Sequence, residues 1–232
     1  TNLSTKQSMN RKLQILALIT ILGPSASAWP ISSEQATIDA IQERYESVRT
    51  FKATFEQKAF VKMMNRVEVT RGEVKIKKPG RMKWVYNAPD PQVLISNQKT
   101  LWLYIPEEEH VTKIPVENVY SSNTPALFLA GQGKLTDSFD IAQVIPEQNE
   151  ITAILVPRES DSNLSRLVLH VDKKNYQIIG SSVYDKLGNR TDIRFSDIRI
   201  NEEIAENAFD FKAPEGVEVQ DFTPSPKATP PR

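Results

Sequence analysis

The sequence contains no cysteine. Disulfides, thiolate metal sites and cysteine nucleophiles are therefore excluded. Histidine is almost as scarce: there are two, and neither His110 nor His170 belongs to a His-Glu-x-x-His helix. Glycine is sparse as well, with eight residues and no Gly-x-Gly-x-x-Gly turn, Walker loop or Gly-x-Ser-x-Gly elbow among them. An excess of one charge is also missing. Twenty-nine Lys and Arg stand against 29 Asp and Glu, so no basic field gathers phosphates, and nucleic acid is not an expected partner. The run Glu107–Glu109 before His110 reads as a solvated loop. His170, between Leu169 and Val171, reads as an outward-facing strand residue. No catalytic group, metal site or cofactor site is expected.

A long apolar run occurs once. Lys6, Arg11 and Lys12 precede Leu13–Leu22, which Gly23 and Pro24 end. The run is too short to cross a bilayer of ~30 Å as a helix. Ala26-Ser27-Ala28 then supplies a small-x-small cleavage pattern. Residues 1–28 are expected to be a secretory signal peptide cut before Trp29, with Met9 as a candidate start. Without them the chain carries 26 basic and 29 acidic residues. With no further apolar run, the expectation is a soluble protein outside the cytoplasm. A lipid anchor at a bacterial signal-peptide junction requires a cysteine, so no anchor of that kind is expected.

Ser32 and Ser33 are candidate helix caps, with Gln35 as a capping-box partner. Ile38, Ile41, Tyr45 and Val48 follow at three- and four-residue spacing, which predicts a helix near 34–48. From Phe51 the period changes to two, as Phe51, Ala53 and Phe55 alternate with Lys52, Thr54 and Glu56. A hairpin tip is expected at Met63–Arg66. Val67 and Val69 are out of phase with Val74 and Ile76, which places a bulge at Gly72. Further strands are expected at 82–86, 93–96, 101–105, 110–114, 139–145, 151–156, 164–171, 176–184 and 191–200, making about eleven in an antiparallel meander. Between them, Thr124-Pro125 followed by the apolar Ala126–Ala130 and Gly131 predicts a short covered helix. Residues 29–222 are expected to be one domain, and 223–232 a Pro-rich flexible tail. The fold class is mainly β. A sheet this wide curls, and the helices would plug its open side, giving an unclosed antiparallel barrel with a short helical lid.

Phe55, Met82, Trp84, Tyr86, Trp102 and Tyr104 recur at even spacing on these strands. Each could fill an ordinary core. Alternatively, some line an apolar cavity, a use that suits adaptable methionine and large aromatics. Spacing does not separate the two readings.

The stretch from Phe51 to Pro125 resembles the LolA family of periplasmic lipoprotein carriers. The matching pieces are Phe51-Lys-Ala-Thr-Phe55-Glu-Gln57 and Gly72-Glu-Val-Lys-Ile-Lys-Lys-Pro79-Gly-Arg-Met-Lys-Trp84. They continue with Leu94-Ile-Ser-Asn-Gln-Lys-Thr-Leu-Trp102-Leu-Tyr104 and Asn123-Thr-Pro125, and more loosely to about Gln220. The resemblance implies a periplasmic carrier, not an enzyme, that takes acylated lipoproteins from an inner-membrane ABC transporter (LolCDE-like). It would deliver them to an outer-membrane receptor (LolB-like). The receptor is itself lipid-anchored, so the missing cysteine favours the carrier. A monomer is expected. Phe55, Met82, Trp84, Tyr86, Trp102, Leu127 and Phe128 become candidate lipid-cavity residues. The family usually has an arginine before the proline matching Pro79, linked to holding the lid. Here that position is Lys78, a donor without the planar fork, and Arg81 is a second candidate latch.

Two other functions compete. A periplasmic sensor or scaffold of related fold, binding lipid or lipoprotein in envelope-stress signalling, would carry a further partner-binding domain. A secreted hydrolase is disfavoured by the missing motifs.

Overall fold

The alternation that begins at Phe51 produces extended chain because β-branched and aromatic side chains on every second residue share one buried face. The computed structural model describes residues 33–87, 89–116, 134–158 and 164–223. Helix α1 (Ser33–Ser47) leads into strands β1 (Thr50–Val61), β2 (Arg66–Lys77), β3 (Arg81–Tyr86), β4 (Gln92–Asn97), β5 (Thr100–Ile105) and β6 (His110–Pro115). A one-turn helix, α2 (Leu135–Ser138), precedes β7 (Phe139–Pro146), β8 (Glu150–Pro157), β9 (Leu164–Asp172), β10 (Ile178–Asp185) and β11 (Arg190–Ile200). The last strand is β12 (Glu218–Asp221).

All twelve strands form one sheet in the order β12-β6-β5-β4-β3-β2-β1-β11-β10-β9-β8-β7. Neighbouring strands are antiparallel apart from β12, which runs parallel to β6. Among the described residues β12 and β7 are its two edges, so the barrel is not closed. The count exceeds the expected eleven by β12, a short strand exposed along its whole length. The expected lid at 124–130 lies outside the described residues, as does the expected signal peptide.

The bulge expected at Gly72 is corrected. β1 and β2 pair without interruption from Thr50↔Lys77 to Val61↔Arg66. The change of phase arises because Val67 and Val69 lie on the opposite face from Val74 and Ile76, 55% and 37% exposed, near the hairpin end. Gly72 has a different reason to lack a side chain. A Cβ there would stand 1.9 Å from the Val85 carbonyl oxygen and 2.8 Å from the Phe55 ring. A register shift occurs instead between β1 and β11, where Lys52 to Thr54 opposes Arg199 to Ser196 and the extra residue lies in β11.

α1 lies on one face of the sheet, here the inner face. Ile38 and Ile41 are wholly buried against Leu155, Leu167 and Leu169 of β8 and β9. Complete burial of such side chains contributes about 1.5–3 kcal/mol each. Val48, just past the helix, joins a second cluster with Phe51, Val74, Ile76, Met82 and Trp84. The helix and its exit therefore connect the two halves of the core. The C-terminal segment covers the outer face. A 3-10 turn at Glu206–Phe209 packs on β3 and β4, with Phe209 buried. Lys77 Nζ donates to the Ile204 carbonyl at 2.9 Å, and Arg81 pairs with Glu206 at 3.2 Å.

Candidate functional site

Between α1 and the inner face lies a pocket of about 810 Å³, open mouth included. Phe51, Ile76, Trp84 and Phe195 line it from β1, β2, β3 and β11. Leu167 and Leu169 of β9, with Ile178 and Val183 of β10, form the opposite wall, and Val48 closes it beneath α1. In a flat sheet β3 and β9 would stand about 24 Å apart, five strand spacings. One pocket reaching both requires the sheet to curl around α1. The wall is apolar because alternation sends Leu167, Leu169 and Val171 inward while His170 points outward, its Nε2 3.3 Å from Ser182 Oγ.

Polar groups gather where α1 ends. Lys78, in the β2–β3 turn, donates from Nζ to the carbonyl of Tyr45. The same ammonium lies 3.4 Å from the centre of the Tyr45 ring, a cation–π contact. Burial lowers the Lys78 pKa to about 8, against an opposing pull from the Glu46 charge. Arg44, Gln177 and Ser181 complete the polar part of the lining. Arg44 Nε and Gln177 Oε1 are buried and have no hydrogen-bond partner among the described residues. A donor and an acceptor thus stand unused at one apolar pocket.

The family model described as "Outer membrane lipoprotein carrier protein LolA" matches residues 46–212. The chain is 31% identical over 209 residues to the outer-membrane lipoprotein carrier protein of Hahella chejuensis, covering 89% of this chain and 98% of that one. It is also 31% identical to the protein of the same name from Azotobacter vinelandii, covering 88% and 99%. The chain belongs to the LolA family. A crystal structure of an uncharacterized conserved protein from Thermus thermophilus aligns with a TM-score of 0.52 at 12% identity, covering 82% of this chain and 99% of that one. That likeness concerns the fold alone.

The LolA match covers every described lining residue of the pocket except Arg44 and Tyr45. Of the aromatic and methionine residues singled out from the sequence, Trp84 lines the pocket. Phe55, Met82 and Tyr86 share its cluster without reaching the lining. The Phe55 ring is 5.2 Å from Trp84 and 5.1 Å from Tyr86, both edge-on, and so packs beside the wall. Tyr86 is itself buried enough to raise its pKa.

Trp102 lies on the other face of the sheet. It pairs with Ile95 across β4, whereas Trp84 pairs with Leu94, so the two tryptophans face opposite sides of the sheet. Trp102 and Tyr104 pack on Phe211 of the C-terminal segment, each with ring centres 6.0 Å apart. Even spacing within β3 and within β5 does not carry across the turn between β4 and β5, where register decides the face. Leu127 and Phe128 lie outside the described residues. Lys78 reaches the end of α1, while the segment it was expected to latch lies outside the described residues. Arg81, the second candidate latch, is engaged on the outer face with Glu206.

The strands β9–β11 supply six of the lining residues and were not singled out from the sequence. Their signal was the alternation Leu167, Leu169, Val171 and Ile193, Phe195. It was legible as a buried face and carried nothing to distinguish cavity from core.

Proposed function

We propose that this LolA-family chain carries acylated lipoproteins through the periplasm by burying their acyl chains in the inner-face pocket. The observation that carries this reading is the pocket itself: an apolar space under α1, walled by Trp84 and Phe195 on one side and by Leu167 and Leu169 on the other. Each buried methylene is worth ~0.8 kcal/mol, so a multiply acylated protein leaves a bilayer only into comparable apolar surroundings. Family membership supports the same reading, since the relatives are named as outer-membrane lipoprotein carriers.

Residues 1–28 are removed as a signal peptide and the chain acts as a periplasmic monomer, with residues 29–222 as its carrier domain and 223–232 as a tail. Cargo comes from a LolCDE-like transporter and passes to a LolB-like receptor. The chain holds and releases cargo without catalysis. The candidate lid residues Leu127 and Phe128 would complete the cavity. Incubating the purified protein with inner-membrane vesicles that display a newly acylated lipoprotein tests the reading. A soluble one-to-one complex is expected, and its cargo should pass to outer-membrane vesicles. Cargo that stays in the vesicles at every carrier concentration would contradict it.

A further inference from the structure

A wholly apolar cavity would suffice to hold hydrocarbon, yet two residues that line this one each carry a buried polar atom with no hydrogen-bond partner among the described residues. Arg44 Nε, from the last turn of α1, is a donor. Gln177 Oε1, just before β10, is an acceptor. Both residues line the same pocket. The orientation of the Gln177 amide is fixed by its own contact, as Nε2 donates to the Ile178 carbonyl at 3.2 Å and leaves the oxygen as the free end. The neighbouring cation is already committed, because Lys78 Nζ donates to the Tyr45 carbonyl. Buried polar groups are paired in the great majority of cases, and an unpaired one in apolar surroundings is costly. A donor and an acceptor, each unpaired among the described residues that line one pocket, call for a ligand that supplies the complement of each.

We infer that Arg44 and Gln177 form a polar subsite for an amide-linked acyl group, so that the cavity recognises how a chain is attached as well as the chain. This inference rests on the carrier reading. An acyl ester offers oxygen acceptors only, which answer Arg44 and leave Gln177 unpaired. An acyl amide offers both: its carbonyl accepts from Arg44 Nε and its N–H donates to Gln177 Oε1. Cargo with an N-acylated terminus therefore satisfies both atoms. In the empty pocket the two unpaired atoms carry the cost of burial without a hydrogen bond, and uptake of an amide-linked chain removes that penalty.

Two synthetic S-diacylglyceryl peptides separate the amide from its alternatives. One carries an N-acetyl amide at its terminus; in the other the α-nitrogen is replaced by oxygen, giving a neutral acetyl ester of nearly the same shape. Affinities are read by tryptophan fluorescence on the parent protein and on Gln177→Met and Arg44→Met, each checked for folding by thermal melting. The parent should bind the amide about fivefold more tightly than the ester, as one net hydrogen bond predicts. Gln177→Met should bring that ratio to about one. Arg44→Met should weaken both peptides several-fold, because both present a carbonyl to it. Equal affinity of the parent for the two peptides, an undiminished ratio in Gln177→Met, or unchanged binding in Arg44→Met overturns the subsite while leaving the carrier reading standing. If neither peptide binds the parent, the carrier reading fails first.

Discussion

Lys78 places its positive charge against the ring and carbonyl of one residue, Tyr45, at the point where α1 gives way to the sheet. Its carbonyl partner belongs to the negative end of the helix, where a cation is favoured. Burial nevertheless costs more than these contacts return, which is why its pKa falls to about 8. In an unfolded chain a lysine titrates near ~10.4. Below about pH 8 both states are protonated, and the cost of burying the charge is fully present. Between that pH and ~10.4 the unfolded chain binds more protons than the folded one, so stability rises with pH. Relative to Lys78→Met, which removes the titrating group, the parent should gain stability across this window, as read from urea midpoints. A difference that is flat or falls with pH would show that Lys78 is not buried in solution. The sequence showed the position but not the partner. Lys78 stands out as the residue where the family usually has arginine, whereas Tyr45 is 33 residues away and meets it only through the packing of α1 on the sheet.

At the scale of the element, α1 is held to the sheet by more than its apolar face. Gln42 is buried, and its Oε1 accepts a hydrogen bond from the backbone nitrogen of Leu135 at 2.8 Å, joining α1 to α2. Gln42→Met keeps the volume and leaves the buried Leu135 N–H without an acceptor. The expected cost is about 1–3 kcal/mol of stability, together with faster hydrogen exchange at the Leu135 amide. Unchanged exchange at that amide would mean the two elements are held by packing alone. The helix was legible from the spacing of Ile38, Ile41, Tyr45 and Val48, because its buried face follows the helical period. Gln42 on that face was not, since a polar residue shows its burial only through a distant partner. β12 was missed for the opposite reason. It buries nothing, and parallel pairing to β6 with the Lys113–Asp221 ion pair at 2.7 Å leaves no periodic trace. The β1–β2 hairpin was legible in extent and misread at Gly72, where the phase change of its valines records which face is covered at each end.

For the whole sheet, the decisive feature is its two-sidedness. α1 and the pocket occupy the inner face, while the C-terminal segment with Phe209 and Phe211 covers the outer one. The open, curled antiparallel sheet was legible from the meander and its width. The assignment of residues to faces was not, because it depends on register across turns. Trp84 and Trp102 record this most clearly: from their strands they look equivalent, and pairing with Leu94 and with Ile95 separates them. The same separation provides a direct test of acyl-chain binding in the pocket. Two variants each keep one of these tryptophans, the others being replaced by phenylalanine, and are titrated with a lipopeptide brominated along its acyl chains. Bromine quenches only a ring it touches. Quenching of Trp84 at one equivalent, with Trp102 unaffected, is the predicted result. Quenching of Trp102 with Trp84 unaffected would place the lipid on the outer face and contradict the account.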